Sequence, residues 1–127
     1  KSFRMIRIGL CDTMSIKALI ESEALKAKPS KRHIAKHTKS AKALEELSND
    51  YDGGVRCYVA FNPNCPVEVF EKLSKDWNYH VRYSVLYNPN CPIEILEKLS
   101  NNPDDVTVQY YAKERLNRIR SDQSQAF

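Results

Sequence analysis

Val55-Arg56-Cys57-Tyr58-Val59-Ala60-Phe61-Asn62-Pro63-Asn64-Cys65-Pro66-Val67-Glu68-Val69-Phe70-Glu71-Lys72-Leu73-Ser74 returns 26 residues later as Val81-Arg82-Tyr83-Ser84-Val85-Leu86-Tyr87-Asn88-Pro89-Asn90-Cys91-Pro92-Ile93-Glu94-Ile95-Leu96-Glu97-Lys98-Leu99-Ser100. A fixed period of this length marks a supersecondary unit that cannot bury its apolar side alone and stacks on its copies. Within each copy the spacing is helical. Val55 and Val59, like Val81 and Val85, stand four apart on a first helix, which Asn62-Pro63 and Asn88-Pro89 stop because a residue before proline avoids the α region. Cys65 and Cys91 fall at the N-cap of a second helix, with Pro66 and Pro92 at its first position and Glu68 and Glu94 at its third. Val67, Phe70 and Leu73, and likewise Ile93, Leu96 and Leu99, recur at three-residue steps as its apolar stripe. The unit is a pair of short helices joined by a tight Asn-Pro-Asn turn, and the expected fold is an all-α solenoid.

Working outward, Leu44-Glu45-Glu46-Leu47-Ser48 matches residues 70–74, and Ile34-Ala35 resembles Val59-Ala60. Val106-Thr107-Val108-Gln109-Tyr110-Tyr111 stands where a further first helix belongs. The 127 residues then divide as one domain. Residues 1–30 form an N-terminal helical cap, with a helix over residues 14–26. Residues 31–54 are a degenerate basic repeat, 55–80 and 81–105 are the two clear repeats, 106–120 is a terminal partial repeat, and 121–127 is a frayed tail. That makes three to four repeats.

Val-Arg, a few apolar residues, Asn-Pro-Asn-x-Pro and a Leu-rich helix resemble the leucine-rich repeat variant family of bacterial proteins, a HEAT-like α-solenoid. The resemblance is specific over residues 55–100, weaker over 34–48 and 106–116, and absent over 1–30. It implies a right-handed superhelix in which α-helices alternate with 3₁₀-helices, and function by binding through a concave surface, with no shared enzymatic activity. Here cysteine takes the slot where such repeats usually place threonine or serine. One member carries an iron–sulfur cluster on an N-terminal cysteine-rich segment; only Cys11 precedes residue 57 in this chain, so no cofactor is expected.

Composition is that of an ordinary globular protein, 42% apolar and 28% charged. Three glycines leave no room for a glycine-rich phosphate loop. Uncharged runs stop at 11 residues, too short to span a membrane, and the absence of a charged-then-apolar leader makes a cytoplasmic chain the expectation. Charge is polarised. Residues 1–44 carry 11 Lys/Arg against 3 Asp/Glu, whereas residues 45–112 carry 5 against 11. Between Glu23 and Glu45 lie Lys26, Lys28, Lys31, Arg32, Lys36, Lys39 and Lys42 with no acid among them.

Candidates for chemistry are few. No C-x-x-C pair, paired carboxylates or Ser/Cys–His constellation is present, so no enzyme is expected, and no metal. His33 and His37 would share a helix face, which is half of a zinc site, but Lys31, Lys36 and Lys39 would repel a dication. Arg56 and Arg82 repeat, and two readings stand open: a structural ladder bonding loop acids or carbonyls, or a row of cations aimed at a partner. Tyr58, Phe61, Trp77, Tyr83 and Tyr87, with Arg56 and Arg82, have the composition of a protein-binding hot spot. The expected function is therefore a non-catalytic protein-interaction module, a monomer or weak dimer. The alternative is a nucleic-acid binder contacting phosphates through Lys28, Lys31, Arg32, Lys36, Lys39 and Lys42.

Overall fold

The computed structural model describes residues 15–17 and 29–125, and the chain there is all-α. Within residues 29–125 seven helices follow in order: α1 (Lys31–His37), α2 (Ala41–Leu47), α3 (Gly53–Phe61), α4 (Val67–Leu73), α5 (Tyr79–Tyr87), α6 (Ile93–Ser100) and α7 (Val106–Gln125). They form three helix pairs and a long last helix. The first helices pack in series, α1 on α3, α3 on α5 and α5 on α7, and α7 also lies along α6. Among the described residues there is no 3₁₀-helix, so both members of each pair are α-helical and the alternation of helix types implied by the resemblance is corrected. None of the described helices is long and apolar enough to cross a membrane.

Polar side chains set where the helices begin. Ser30, Ser40, Asp52 and Asn78 accept a hydrogen bond from an amide two or three residues on and so cap α1, α2, α3 and α5. The second helices start differently from expectation. Pro66 and Pro92, not the cysteines before them, hold the N-cap positions, with extended ψ of 155° and 147° and no side-chain bond. The Pro66 carbonyl accepts from Val69 and Phe70 at 3.1 and 3.0 Å, leaving Cys65 and Cys91 as small buried groups one residue outside the helix.

The apolar stripe is corrected too. Val69, Phe70 and Leu73 are buried, as are Ile95, Leu96 and Leu99, while Val67 is 60% exposed and Ile93 43%. A helix turns about 100° per residue, so three-residue steps drift by about 60° each and carry the first member off the buried face. In the first pair Ile34, Ala35, Leu44 and Leu47 occupy the same continuous core. At the far end the inward residues of α7 are Val108, Ala112 and Leu116, with Val106 outside. No proline or glycine follows Pro103, and the helix runs on through Gln125. The boundary at 120 and the frayed tail from 121 are therefore corrected as far as residue 125. Of the proposed N-terminal cap, Ile16 packs on the core and its amide donates to Glu46 Oε1 at 2.8 Å; the rest of that cap lies outside the described residues.

Asparagine locks the pairs together. Asn62 ends α3, is 2% exposed, and donates through Nδ2 to the carbonyls of Ala35 and Thr38 at 2.8 and 2.9 Å. Asn88 repeats this on Ala60 and Asn62 at 2.8 and 3.0 Å. Each Oδ1 accepts from the amide two residues on, closing the Asn-Pro-Asn turn. The next rung has no asparagine; Arg115 of α7 donates instead to the carbonyl of Leu86, the residue equivalent to Ala60. Removing the Asn88 amide would take the side-chain donor from the buried Ala60 carbonyl, whereas the Asn62 carbonyl keeps the Cys65 amide at 3.0 Å. Asn88→Ala should destabilise the chain by about 1–3 kcal/mol in urea melts, the cost of one orphaned buried group. Asn90→Ala, at an exposed turn position, should cost less than about 1 kcal/mol.

Candidate functional site

The repeated arginines point into the fold. Arg56 is 5% exposed; its Nε and Nη2 donate to Asp76 at 2.8 and 3.2 Å, and its Nη1 to the carbonyls of Asp50 and Tyr51 at 2.8 and 3.0 Å. Arg82 donates to Asp105 at 2.7 Å and to the Asp76 carbonyl at 2.6 Å. Arg32 makes the carboxylate contact alone, one pair earlier and from an exposed position, meeting Asp52 at 3.0 and 3.1 Å, with Lys31 on Asp50 at 3.0 Å beside it. Of the two readings of Arg56 and Arg82, this geometry is the ladder: each guanidinium ties the loop behind it to the acid ahead. Gly54 makes room for the first rung, since a Cβ there would lie 2.6 Å from the Arg32 guanidinium carbon.

These bonds hold the acids ionised. The guanidinium of Arg32, with the amide of Gly54, keeps Asp52 below the usual carboxylate range. The amide of Asp52 does so for Asp50 and outweighs the upward push of burial, with the Lys31 ammonium adding to it. Burial alone would raise Asp105, but the hydrogen bonds from Arg82 and from the amides of Val108 and Thr107 outweigh it and the net shift is downward.

With the arginines turned inward, the exposed face of the first helices is aromatic. Tyr79, Tyr83 and Tyr87 project one turn apart from α5, with ring centroids 5.7 and 6.3 Å apart. Tyr111 of α7 meets Tyr83 at 6.5 Å and Tyr87 at 6.3 Å, and Tyr110 adjoins Tyr111 at 5.2 Å. Tyr87 and Tyr111 then flank a cleft of about 270 Å³ with Pro89, Glu114, Arg115 and Arg118. Burial pushes the Tyr87 phenol up, with Tyr111 and Tyr83 adding to it. Of the aromatics singled out in the sequence, the structure joins Tyr83 and Tyr87 directly. Tyr58 and Phe61 stand on α3, with Phe61 at the position equivalent to Tyr87. Trp77 is elsewhere: it sits in the turn before α5, 81% exposed, with its ring 5.4 Å from the Arg56 guanidinium carbon. It borders a separate cleft of about 450 Å³ shared with Arg82, Lys98, Asn101 and Asp105. Tyr79, Tyr110 and Tyr111 complete the surface and were not among the predicted site residues. Their signal was the four-residue step from Tyr79 to Tyr83 to Tyr87; nothing local to Tyr110 and Tyr111 shows which helix α7 packs against.

Charge divides by helix. α1, α3 and α5 contain no aspartate or glutamate, whereas α2, α4 and α6 carry Glu45, Glu46, Glu68, Glu71, Glu94 and Glu97. Of the basic residues assigned to nucleic acid, Lys31 and Arg32 are engaged by Asp50 and Asp52. Lys36 lies 6.0 Å from the Tyr58 ring, Lys39 and Lys42 are exposed, and Lys28 lies outside the described residues. Lys31 and Lys36 thus share the series of first helices with the tyrosines, whereas Lys42 is on α2 and Lys39 precedes it.

Other groups offer little chemistry. The His33 and His37 rings lie 4.6 Å apart, but no cluster of three His, Cys, Asp or Glu side chains that could hold a metal occurs among the described residues. Cys57, Cys65 and Cys91 are free thiols, and burial pushes Cys65 and Cys91 up to about 12, so neither is a ready nucleophile at neutral pH. Among the described residues every buried side-chain nitrogen and oxygen has a hydrogen-bond partner. Comparison with known proteins finds no matching family model, no similar curated sequence and no similar solved structure.

Two outcomes follow from the ladder. Arg56→Met strands Asp76 and two loop carbonyls, and should lower unfolding free energy by about 3–5 kcal/mol, the cost of breaking a buried pair on one side. Asp50, Asp52 and Asp105 have folded values below 3.8. Their stabilisation is therefore complete above that unfolded value and is lost as pH falls through the lower folded values. Urea midpoints should be flat from pH 7 to about pH 5 and drop below about pH 4; a midpoint unchanged at pH 3 would contradict the ladder.

Proposed function

We propose that the chain is a right-handed α-solenoid of the leucine-rich repeat variant type, and that it serves as a non-catalytic, cytoplasmic protein-binding module. The observation that carries this is the chain of five contacting tyrosines on α5 and α7. Tyrosine-rich surface with arginine at its edge is the composition of interface hot spots, because a rigid ring buries much area at little entropic cost. Phe61 and Tyr58 extend it one unit back along α3. The resemblance supports the same use, since its repeats bind through a surface rather than act on a substrate.

A second reading has one observation in its favour. Lys36 lies against Tyr58 and Arg118 borders the cleft beside Tyr87, and aromatics interleaved with cations also suit a single-stranded nucleic acid.

Affinity capture with the whole chain as bait, with and without nuclease, separates the two. Retained proteins that survive nuclease, and are lost with Tyr79→Ala/Tyr87→Ala, are the expected result. Recovery of nucleic acid that declines steeply with salt and is lost with Lys36→Ala/Lys39→Ala/Lys42→Ala would replace protein binding with phosphate binding.

A further inference from the structure

Resting on the protein-binding reading, we infer that the partner is an acidic segment of another protein. It would place one aromatic or prolyl anchor in the cleft between Tyr87, Pro89 and Tyr111 and its carboxylates against Arg118 and the cations at the two ends of the tyrosine surface. The cleft, at about 270 Å³, lies below the range of cofactor and drug pockets and is the size for a single side chain. It is lined by Tyr87, Pro89 and Tyr111 together with Glu114, Arg115 and Arg118. Rings and a proline beside charged side chains are an arrangement in which a buried anchor supplies affinity and neighbouring charges supply selection.

Charge decides the sign of the partner. The exposed faces of α3 and α5 carry no carboxylate, and the free cations stand at the two ends: Lys36 beside Tyr58, and Arg118 beyond Tyr111. Arg118 has no ion-pair partner among the described residues, in contrast to Arg32, Arg56 and Arg82, which are bound to Asp52, Asp76 and Asp105. Glu114, also lining the cleft, is reached by the Tyr110 hydroxyl at 3.4 Å. The same distribution favours a polypeptide over a nucleic acid. A single strand presents a phosphate at every nucleotide, whereas the row Tyr79–Tyr83–Tyr87 has no free Lys or Arg beside it, because Arg82 is turned inward. A peptide can match this surface with an uncharged middle and acids at its ends.

The whole chain, immobilised, would be used to select from a random peptide phage library, and a selected peptide would then be titrated by fluorescence anisotropy. Enriched sequences should carry net negative charge together with an aromatic or proline. Arg118→Glu should weaken binding of the selected peptide by about tenfold or more, the scale of a close charge pair. The Glu-to-Gln version of the peptide should bind the unaltered chain equally weakly. Tyr87→Ala should abolish binding while circular dichroism and the urea midpoint stay within the range of an exposed substitution. Enriched peptides that are neutral or basic but still need Tyr87 would overturn the acidic partner and leave the protein-binding module standing. An affinity unchanged in Arg118→Glu, a library that yields no binder, or displacement of the peptide by an oligouridine strand at lower concentration would each overturn the inference, the last in favour of single-stranded RNA.

Discussion

Arg56 carries three roles that a surface arginine cannot. Its Nη1 closes the loop behind it on two carbonyls, its Nε and Nη2 fix the loop ahead through Asp76, and its flat face lies under Trp77. A guanidinium suits this because its donors splay in a rigid plane and its charge is permanent. Burying it would be costly without a bidentate carboxylate and satisfied donors, and both are present. Arg32 and Arg82 repeat the carboxylate contact with small changes, so the spacing of one helix pair from the next is fixed by a charged bond as well as by apolar packing.

Inward arginines leave the outer face of the first helices to other residues. On α3 and α5 those are tyrosine and phenylalanine, with serine, histidine and Cys57 between them. The acids are displaced onto the second helices, where Lys98 bridges Glu71 at 2.6 Å and Lys72 reaches back to Ser48 at 3.0 Å. The second helices, with six glutamates against Lys42, Lys72 and Lys98, are therefore acidic, and the first are aromatic. Desolvating those charged side chains would cost a partner free energy, and the tyrosine side lacks that obstacle.

Helix pairing was legible in the sequence because two copies in register exclude coincidence, and because Asn62-Pro63 and Asn88-Pro89 can end a helix in only one way. The fates of Ile34-Ala35 and Leu44 were legible for the same reason. Helix starts were not. Cysteine resembles serine at a cap position, yet its thiol is a poor acceptor, and proline takes the N-cap with its carbonyl alone. Nor did the three-residue steps reveal that Val69 and Ile95 are the buried members, since a seven-residue helix is too short for periodicity to distinguish neighbouring faces. The role of Arg56 could be framed as two alternatives but not decided, because Asp76 is 20 residues away and only packing brings it near. The tyrosine surface was half visible: residues on one helix announce themselves by their step, while Tyr111 joins them through a contact between α5 and α7.

The asparagine rungs have a consequence for how such a chain can grow. Asn62 takes carbonyls from the unit before it, and then offers its own carbonyl to Asn88. The two asparagine junctions thus present equivalent acceptors on one edge and the same donor on the other. Duplicating a whole unit between residues 80 and 81 would leave both new seams chemically complete, whereas gaining or losing a fraction of a unit would strand buried carbonyls. Length is free to vary only in whole steps, until a helix like α7, with Arg115 standing in for the missing amide, brings the series to a close.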